Sequence, residues 1–159
     1  MNGWLLNLVR AGAVGCGLMA GLFFAFSVSV MPALRRLSPS SGIAAMQAIN
    51  RAILNPVFML VFLGTALVAA ALAVSTLWTW HDGGAALRLA GGLCYVIGTF
   101  GITAVYHVPR NNAIDRLDPT NHSSAAKWST FFAEWAPWNH VRALASTASL
   151  ILLVVAAGR

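Results

Sequence analysis

Four long apolar runs constrain this chain more than any other feature of its sequence. They cover residues 12–30, 57–78, 87–106 and 141–157. A helix needs roughly 17 to 25 apolar residues to cross the ~30 Å hydrocarbon core of a bilayer. Only 9% of the 159 residues are charged and 58% are hydrophobic, which is far from the composition of a soluble domain. The sequence therefore predicts one integral membrane domain over residues 1–159, an all-α bundle of four transmembrane helices.

Positive charge is distributed unequally between the two sides that four spans create. The formal net charge is +6. The two long loops share one side and carry Arg35, Arg36, Arg51, Arg110, Arg116 and Lys127, with Arg142 at the edge. The positive-inside rule then predicts that both long loops are cytoplasmic and both termini outside, in a bacterial-type inner membrane. Because the basic residues flank spans and form no stripe, no nucleic-acid partner is expected.

Each long loop also contains an amphipathic stretch, at residues 40–54 and 123–135. We expect both to form short helices at the membrane interface. Within the spans, Gly17 and Gly21 have a spacing that lets two helix backbones approach closely. The third span carries further glycines, namely Gly91, Gly92, Gly98 and Gly101. These faces fit either packing inside one chain or contact between copies in a homo-oligomer.

The two halves of the sequence resemble each other. A shift of 77 positions aligns Pro32 with Pro109, and Asn55 has a counterpart in Asn139 further along. This order favours two helical hairpins related by a pseudo-twofold axis along the membrane normal. Arg142 has no charged counterpart in the first half, so chemistry is expected in the second half.

A polar cluster at residues 134–142 opens the last apolar run. Ionisable groups at such a position are costly to dehydrate and usually have partners or a task. In an antiparallel hairpin this cluster lies level with the end of the third span, so a polar ring is predicted at one mouth of the bundle, where bundles build ligand sites. The candidate residues are Tyr106, His107, Asn111, Asn112, Glu134, Trp135, Trp138, Asn139, His140 and Arg142, with Asn50 and Asn55 from the first half.

Each candidate also has a purely structural interpretation. Arg142 can snorkel to lipid phosphates, Asn55 and Asn139 can cap helices, and the tryptophans can anchor the chain at the interface. No cofactor is expected. Haem or another metal, held by His107 and His140, is the alternative, although no cysteine or Glu-x-x-His spacing supports it.

Several motifs together resemble one family. They are Gly21-Leu22-Phe23-Phe24-Ala25-Phe26, Met31-Pro32-Ala33-Leu34, Met46-Gln47 with Asn50, Val108-Pro109-Arg110-Asn111-Asn112, and Trp135-x-x-Trp138-Asn139-His140-Val141-Arg142. Over nearly the whole chain they resemble the anthrone oxygenase-like family of small four-helix integral membrane proteins. The family more often has Asn where this chain has His107. The resemblance implies a membrane oxidoreductase that oxidises the methylene of an anthrone to a quinone with dioxygen.

This implied reaction needs a base, donors at the enolate oxygen and an apolar slot that excludes water. His140 suits the base, with Glu134 orienting it, while Arg142 with Asn111 or Asn139 would stabilise the oxyanion. This assignment requires His140 and Arg142 to point into one shared pocket. Two other classes remain open: a non-catalytic membrane binding or accessory protein, and a small-molecule exporter. Without an ionisable residue in mid-span, ion-coupled transport is disfavoured.

Overall fold

The computed structural model describes residues 2–159, which form five helices joined by short turns. The helices are α1 (Gly3–Arg35), α2 (Pro39–Ile53), α3 (Pro56–Ser75), α4 (Ala85–Asp115) and α5 (Ser124–Ala157). All except α2 are long and apolar enough to cross a membrane. The predicted bundle of four transmembrane helices is confirmed, and the chain is a multi-pass integral membrane protein.

The two loops are built differently from each other. The amphipathic helix predicted at 40–54 is α2, Pro39–Ile53. The stretch predicted as a separate helix at 123–135 is instead the first part of α5, which runs for 34 residues without a break. In the first loop, the side chain of Asn55 accepts a hydrogen bond from the amide of Phe58 at 3.0 Å and so caps the start of α3. The side chain of its counterpart Asn139 instead bonds to α1, and α5 continues through Pro137.

Close contacts between spans depend on glycine at three positions in particular. A Cβ at Gly15 would overlap the hydroxyl of Thr65, one at Gly92 would lie 2.5 Å from the carbonyl oxygen of Ala69, and one at Gly98 would lie 2.6 Å from the Cβ of Ala145. These glycines therefore serve packing between helices of one chain. Gly21 faces open space, and contact between copies through the glycine-rich faces stays a prediction.

Hydroxyl groups join the spans where no water can reach them. Thr99 of α4 and Ser146 of α5 are hydrogen-bonded at 2.8 Å. One turn further along α5, Ser149 donates to the carbonyl of Gly91 at 2.7 Å and contacts the thiol of Cys16 at 3.1 Å. Such bonds fix the register of helices in lipid, where apolar contact alone does not distinguish one register from another.

Two of the three π-helical segments in residues 2–159 match the internal repeat. They cover Phe26–Val30 in α1 and Thr103–His107 in α4, which are offset by the same 77 positions that align Pro32 with Pro109. The third, Cys94–Gly101, has no π-helical counterpart in α1. A proline inside a helix lacks an N–H and clashes with the carbonyl four residues earlier, and a widened turn accommodates it. The matching turns support the prediction of two related hairpins.

A second hydrophobic cluster, the cap cluster, lies beyond one end of the bundle. Its buried members include Met31, Ile43, Met46, Ile114, Trp128, Phe131 and Trp135. It is formed by α2 packing against the start of α5 and the end of α4. The approach is close at Gly42, where an added Cβ would lie 2.9 Å from Cζ2 of Trp128. The cap cluster closes the mouth at which the sequence predicts a polar ring.

Candidate functional site

A small cavity of about 100 Å³ lies between the bundle and the cap cluster. We call it the Arg142 cavity. Most of its wall is apolar or aromatic, and a few polar groups converge on it. Its lining includes Phe23, Phe26, Met46, Asn50, Leu54, Phe58, Thr103, Asn111, Trp135 and Arg142.

Arg142 is an almost fully buried cation, with 5% of its surface exposed. Nη2 donates to Oδ1 of Asn139 at 2.8 Å and Nη1 donates to Oγ1 of Thr103 at 3.1 Å. Its Nε has no hydrogen-bond partner, and within residues 2–159 no carboxylate forms a salt bridge with it. A buried charge is normally paired. Here neutral groups hold the guanidinium in place, and its charge is left uncompensated at the cavity wall.

Aromatic rings cover the guanidinium on two sides. Its Cζ lies 4.2 Å from the ring centroid of Phe23 and 5.2 Å from that of Trp135. The faces of aromatic rings attract cations, more strongly where water is excluded. The indole N–H of Trp135 donates to Oδ1 of Asn111 at 2.9 Å, which fixes the ring that forms the wall.

Asn139 orients the arginine from the inside of α5. It is fully buried, and its Nδ2 donates to the carbonyl of Phe23 at 2.9 Å and to the hydroxyl of Ser27 at 2.8 Å. Its oxygen is thereby turned toward Arg142. The residue is therefore not a helix cap, and it links α1, α5 and the cation in one network.

Amides of α2 tie the cap to the end of α4. Asn50 donates to Oδ1 of Asp115 at 3.0 Å and to the carbonyl of Asn111 at 3.4 Å. Gln47 donates to the carbonyls of Ile114 at 3.0 Å and Leu117 at 2.9 Å. These bonds hold the wall of the cavity that α2 supplies.

His107 is buried beside the cavity without lining it. Only 1% of it is exposed, and its ring meets that of Trp135 edge-on, with centroids 4.8 Å apart and planes at 86°. The backbone carbonyls of Ile102 and Trp135 lie near the ring, yet neither ring nitrogen has a partner with good hydrogen-bond geometry. A buried polar group without a partner costs about 1–3 kcal/mol, so this imidazole lowers the stability of the fold.

The family model of anthrone oxygenase matches residues 58–152. This chain belongs to the anthrone oxygenase family. The matched region contains Thr103, Asn111, Trp135 and Arg142 of the cavity wall, together with Asn139, which accepts a hydrogen bond from Arg142. Comparison with curated proteins and with solved structures gives no significant match.

His140 does not lie in the pocket where the sequence predicted it. His140 is exposed and faces a cleft with Arg35 and Arg36, on a different side of α5 from Arg142. Helical residues two positions apart do not face each other, so the expectation that His140 and Arg142 share one pocket is wrong. Glu134 does not orient His140 either, because its carboxylate accepts from Nε of Arg110 at 2.8 Å.

The remaining predicted residues lie outside the cavity. The Tyr106 hydroxyl donates to the carbonyl of Glu134 at 3.3 Å, and the Tyr106 ring packs against Trp138, with centroids 4.9 Å apart. Asn112 and Asn55 are exposed, and Asn55 caps α3. Of the predicted site, the structure brings together Asn111, Trp135, Asn139 and Arg142 around the cavity, with Asn50 from the first half.

The residues present do not form a metal centre of the kind considered above. His107 is buried against Trp135, whereas His140 is exposed at the basic cleft on another side of α5. They do not face a common point at which both could ligate one ion. In the described part of the chain, His, Cys, Asp and Glu side chains form no cluster of three.

Thr103 and Phe23, which both contact Arg142, were not among the candidate residues predicted from the sequence. Thr103 aligns with Phe26 under the 77-residue shift, so a hydroxyl replaces an aromatic ring at one repeated position. That replacement is a signal in the sequence from which Thr103 could have been predicted as a site residue. Phe23 gives no comparable signal, because one phenylalanine in an apolar run looks like any other.

Proposed function

We propose that this protein is a membrane-embedded oxygenase that binds a small hydrophobic aromatic compound as its anion and oxidises an activated methylene with dioxygen. The observation that carries the proposal is the Arg142 guanidinium, buried without a carboxylate partner at an aromatic-walled cavity. Membership of the anthrone oxygenase family supports the choice of an anthrone-type substrate.

The proposed reaction balances with dioxygen as the only co-reactant. A base removes one methylene proton, and the resulting enolate is stabilised by its aromatic rings. The enolate gives one electron to dioxygen, and the radical pair joins to form a carbon–oxygen bond, which after protonation is a hydroperoxide. Loss of the second methylene proton breaks the O–O bond and releases hydroxide. In total, one methylene and one dioxygen give one ketone and one water.

Arg142 would stabilise the charge that forms during this reaction. A fixed cation in a dry cavity stabilises an enolate oxygen, and the superoxide formed beside it, more strongly than water-exposed charge could. The Asn111 amide can add a donor at the same oxygen. Phe23, Phe26 and Phe58 would exclude water from the reactive anion.

His107 is the proton acceptor that we propose. Its ring packs edge-on against Trp135, which lines the cavity, with ring centroids 4.8 Å apart. Because the cavity of about 100 Å³ is smaller than the ~300–1,000 Å³ of typical ligand pockets, side chains must move for a tricyclic substrate. Displacing the indole of Trp135, which separates the cavity from His107, would widen the cavity and bring the imidazole to the substrate. A His107→Gln variant that binds and turns over normally would remove this assignment.

The membrane would deliver the substrate from the side. Leu54 lines the cavity, has 68% of its surface exposed and lies at the break between α2 and α3. Phe58 continues the same wall on α3. An apolar molecule dissolved in the bilayer could therefore reach Arg142 without crossing water.

We also propose that both long loops, and with them the cap cluster, face the cytoplasm. The distribution of arginine and lysine along the chain supports this orientation. A reporter that is active only in the cytoplasm should work when fused in the loop at Thr120 and fail when fused after Arg159. The reverse pattern would invert the topology.

Oxygen uptake by the purified protein tests the proposal. With 1,8-dihydroxyanthrone, wild-type protein should consume oxygen faster than a protein-free control, and Arg142→Met should fall to the control rate. Arg51→Met, which removes an exposed arginine on α2, should match the wild type. No uptake above the control with wild-type protein would refute the oxygenase.

Binding without turnover is the second candidate function. One observation favours it: among the described residues that line the cavity there is no histidine or carboxylate. A carrier would bind 1,8-dihydroxyanthraquinone in an Arg142-dependent way and show no oxygen uptake. An oxygenase would show both.

A further inference from the structure

A basic cleft lies apart from the Arg142 cavity, between the end of α1 and the middle of α5. It has a volume of about 410 Å³. Arg35, Arg36 and His140 supply its polar wall together with the hydroxyl of Ser27, and Met31 and Phe132 are among its apolar residues. The cleft therefore combines two permanent positive charges, an imidazole and an apolar floor.

The positive charge of the basic cleft is not neutralised by the protein. No acidic residue lines it, and within residues 2–159 neither arginine forms a salt bridge. The chain has only four acidic residues, and the nearest in sequence to His140, Glu134, is bound to Arg110. The Arg35 guanidinium lies 5.5 Å from the ring centroid of Phe132, which restrains it at the rim.

The basic cleft lies at the boundary between the apolar and polar parts of the protein. Helices α1 and α5 are antiparallel, since Asn139 bonds to Phe23 while Ser149 contacts Cys16. Arg35 and Arg36 follow the apolar run of α1, and His140 immediately precedes that of α5. Both helices therefore cross the boundary here, at the depth of lipid phosphates.

Apolar side chains continue from the cleft toward the membrane interior. Val28 and Phe24 on α1 are 55% and 61% exposed, and Leu144 on α5 is 70% exposed. Val28 and Phe24 lie about two and three helical turns deeper than Arg35, and Leu144 lies about one turn deeper than His140. Acyl chains attached to a phosphate in the cleft would lie against this surface.

We propose that the basic cleft binds the phosphate of an anionic phospholipid such as phosphatidylglycerol. Arg35 and Arg36 neutralise the phosphate, and His140 and Ser27 offer hydrogen bonds to its oxygens. A zwitterionic lipid carries its own cation, which two arginines repel, so the cleft discriminates by charge. His140 thereby becomes a lipid ligand. This site is independent of the reaction proposed for the Arg142 cavity.

Native mass spectrometry of the detergent-purified protein, mixed with equal amounts of phosphatidylglycerol and phosphatidylcholine, tests the proposal. Wild-type protein should retain phosphatidylglycerol preferentially. The double variant Arg35→Gln with Arg36→Gln should lower that retention at least tenfold, and His140→Ala by a smaller factor. Arg51→Gln, the same charge change on an exposed part of α2, should stay within twofold of wild type.

Three results would overturn the proposal. They are equal retention of the two lipids, unchanged retention in the double variant, and full displacement of phosphatidylglycerol by millimolar inorganic phosphate, which would identify the ligand as free phosphate. Size-exclusion chromatography would establish whether the double variant is folded. If it is not, the single variant Arg36→Gln, whose side chain is exposed, should still lower retention about threefold, and an unchanged value would count equally against the site.

Discussion

Replacing Arg142 with methionine separates its role in binding from its role in folding. Methionine is unbranched, carries no charge and has a similar volume, so it fills much of the space while leaving the cavity neutral. The wild-type guanidinium donates to Asn139 at 2.8 Å and to Thr103 at 3.1 Å. Hydrogen bonds to a charged group contribute about 1.5–3 kcal/mol each. Against them stands the cost of burying the charge, which is several kcal/mol.

These opposing contributions nearly offset each other. What remains is the oxygen of Asn139, which loses its donor, and a buried unsatisfied acceptor costs about 1–3 kcal/mol. We therefore expect Arg142→Met to lower the free energy of unfolding by that amount only, and the variant to purify as a folded protein.

The effect on an anionic ligand should be much larger. Removing one partner of a buried, hydrogen-bonded charge pair costs about 2–5 kcal/mol. At about 1.4 kcal/mol per factor of ten, the affinity should fall between roughly 30-fold and several thousandfold. The assay is a titration with 1,8-dihydroxyanthraquinone, whose visible absorption shifts when a phenol ionises. The wild type should bind the phenolate below the pH at which it forms in water, and the variant should not.

An equal affinity and an equal absorption shift in Arg142→Met would refute the reasoning. Arg142→Lys is the matched control for charge, because it keeps the cation but cannot donate to Asn139 and Thr103 in the same fork. It should retain part of the shift. A complete loss in the lysine variant, with a folded protein, would mean that geometry rather than charge decides binding.

Two further predictions concern the cap and the loop before α5. Gly42→Ala places a Cβ 2.9 Å from Trp128 and should destabilise the protein by about 1–3 kcal/mol through overpacking, which a lower thermal unfolding midpoint would show. The control is Gly21→Ala, because open space surrounds Gly21. Equal midpoints for the two variants would contradict the close packing of Gly42 against Trp128. Hydrogen bonds from the Thr120 hydroxyl and amide lower the pKa of Asp118, so their stabilisation is present above the unfolded pKa and is lost as pH falls through the folded pKa. Thr120→Val should raise the pKa of Asp118 in an NMR titration. An unchanged pKa would show that the hydrogen bond from the Thr120 backbone N–H alone lowers the pKa of Asp118.

The sequence was sufficient to predict the spans and the first amphipathic helix. Their signals are local or periodic: apolar length fixes the spans, and apolar residues at helical spacing indicate the helix. The shared offset of Pro32 and Pro109, which the π-helical turns before them match, supports the prediction of two related hairpins. Partners for Arg142 were also expected, because a cation at the start of an apolar run is costly unless it has partners.

The orientation of individual side chains was less predictable. His140 and Arg142 lie two residues apart in sequence, but proximity along the chain is not proximity in space. On a helix they point to different sides, and the packing of α1 against Asn139 decides which one is buried. The burial of His107 depends on the edge-on contact with Trp135, 28 residues away, which no local pattern encodes.

Isotope labelling with ¹⁸O₂ distinguishes an oxygenase that depends on Arg142 from a protein that only binds. Purified protein in lipid nanodiscs is mixed with 1,8-dihydroxyanthrone under ¹⁸O₂, and the quinone is analysed by mass spectrometry after subtraction of the protein-free reaction. We expect one labelled oxygen in each product molecule, formed at a rate that Arg142→Met reduces to that of the protein-free control. Product formed by wild type and Arg142→Met at the same rate, or product without label, would rule out the proposed oxygenase.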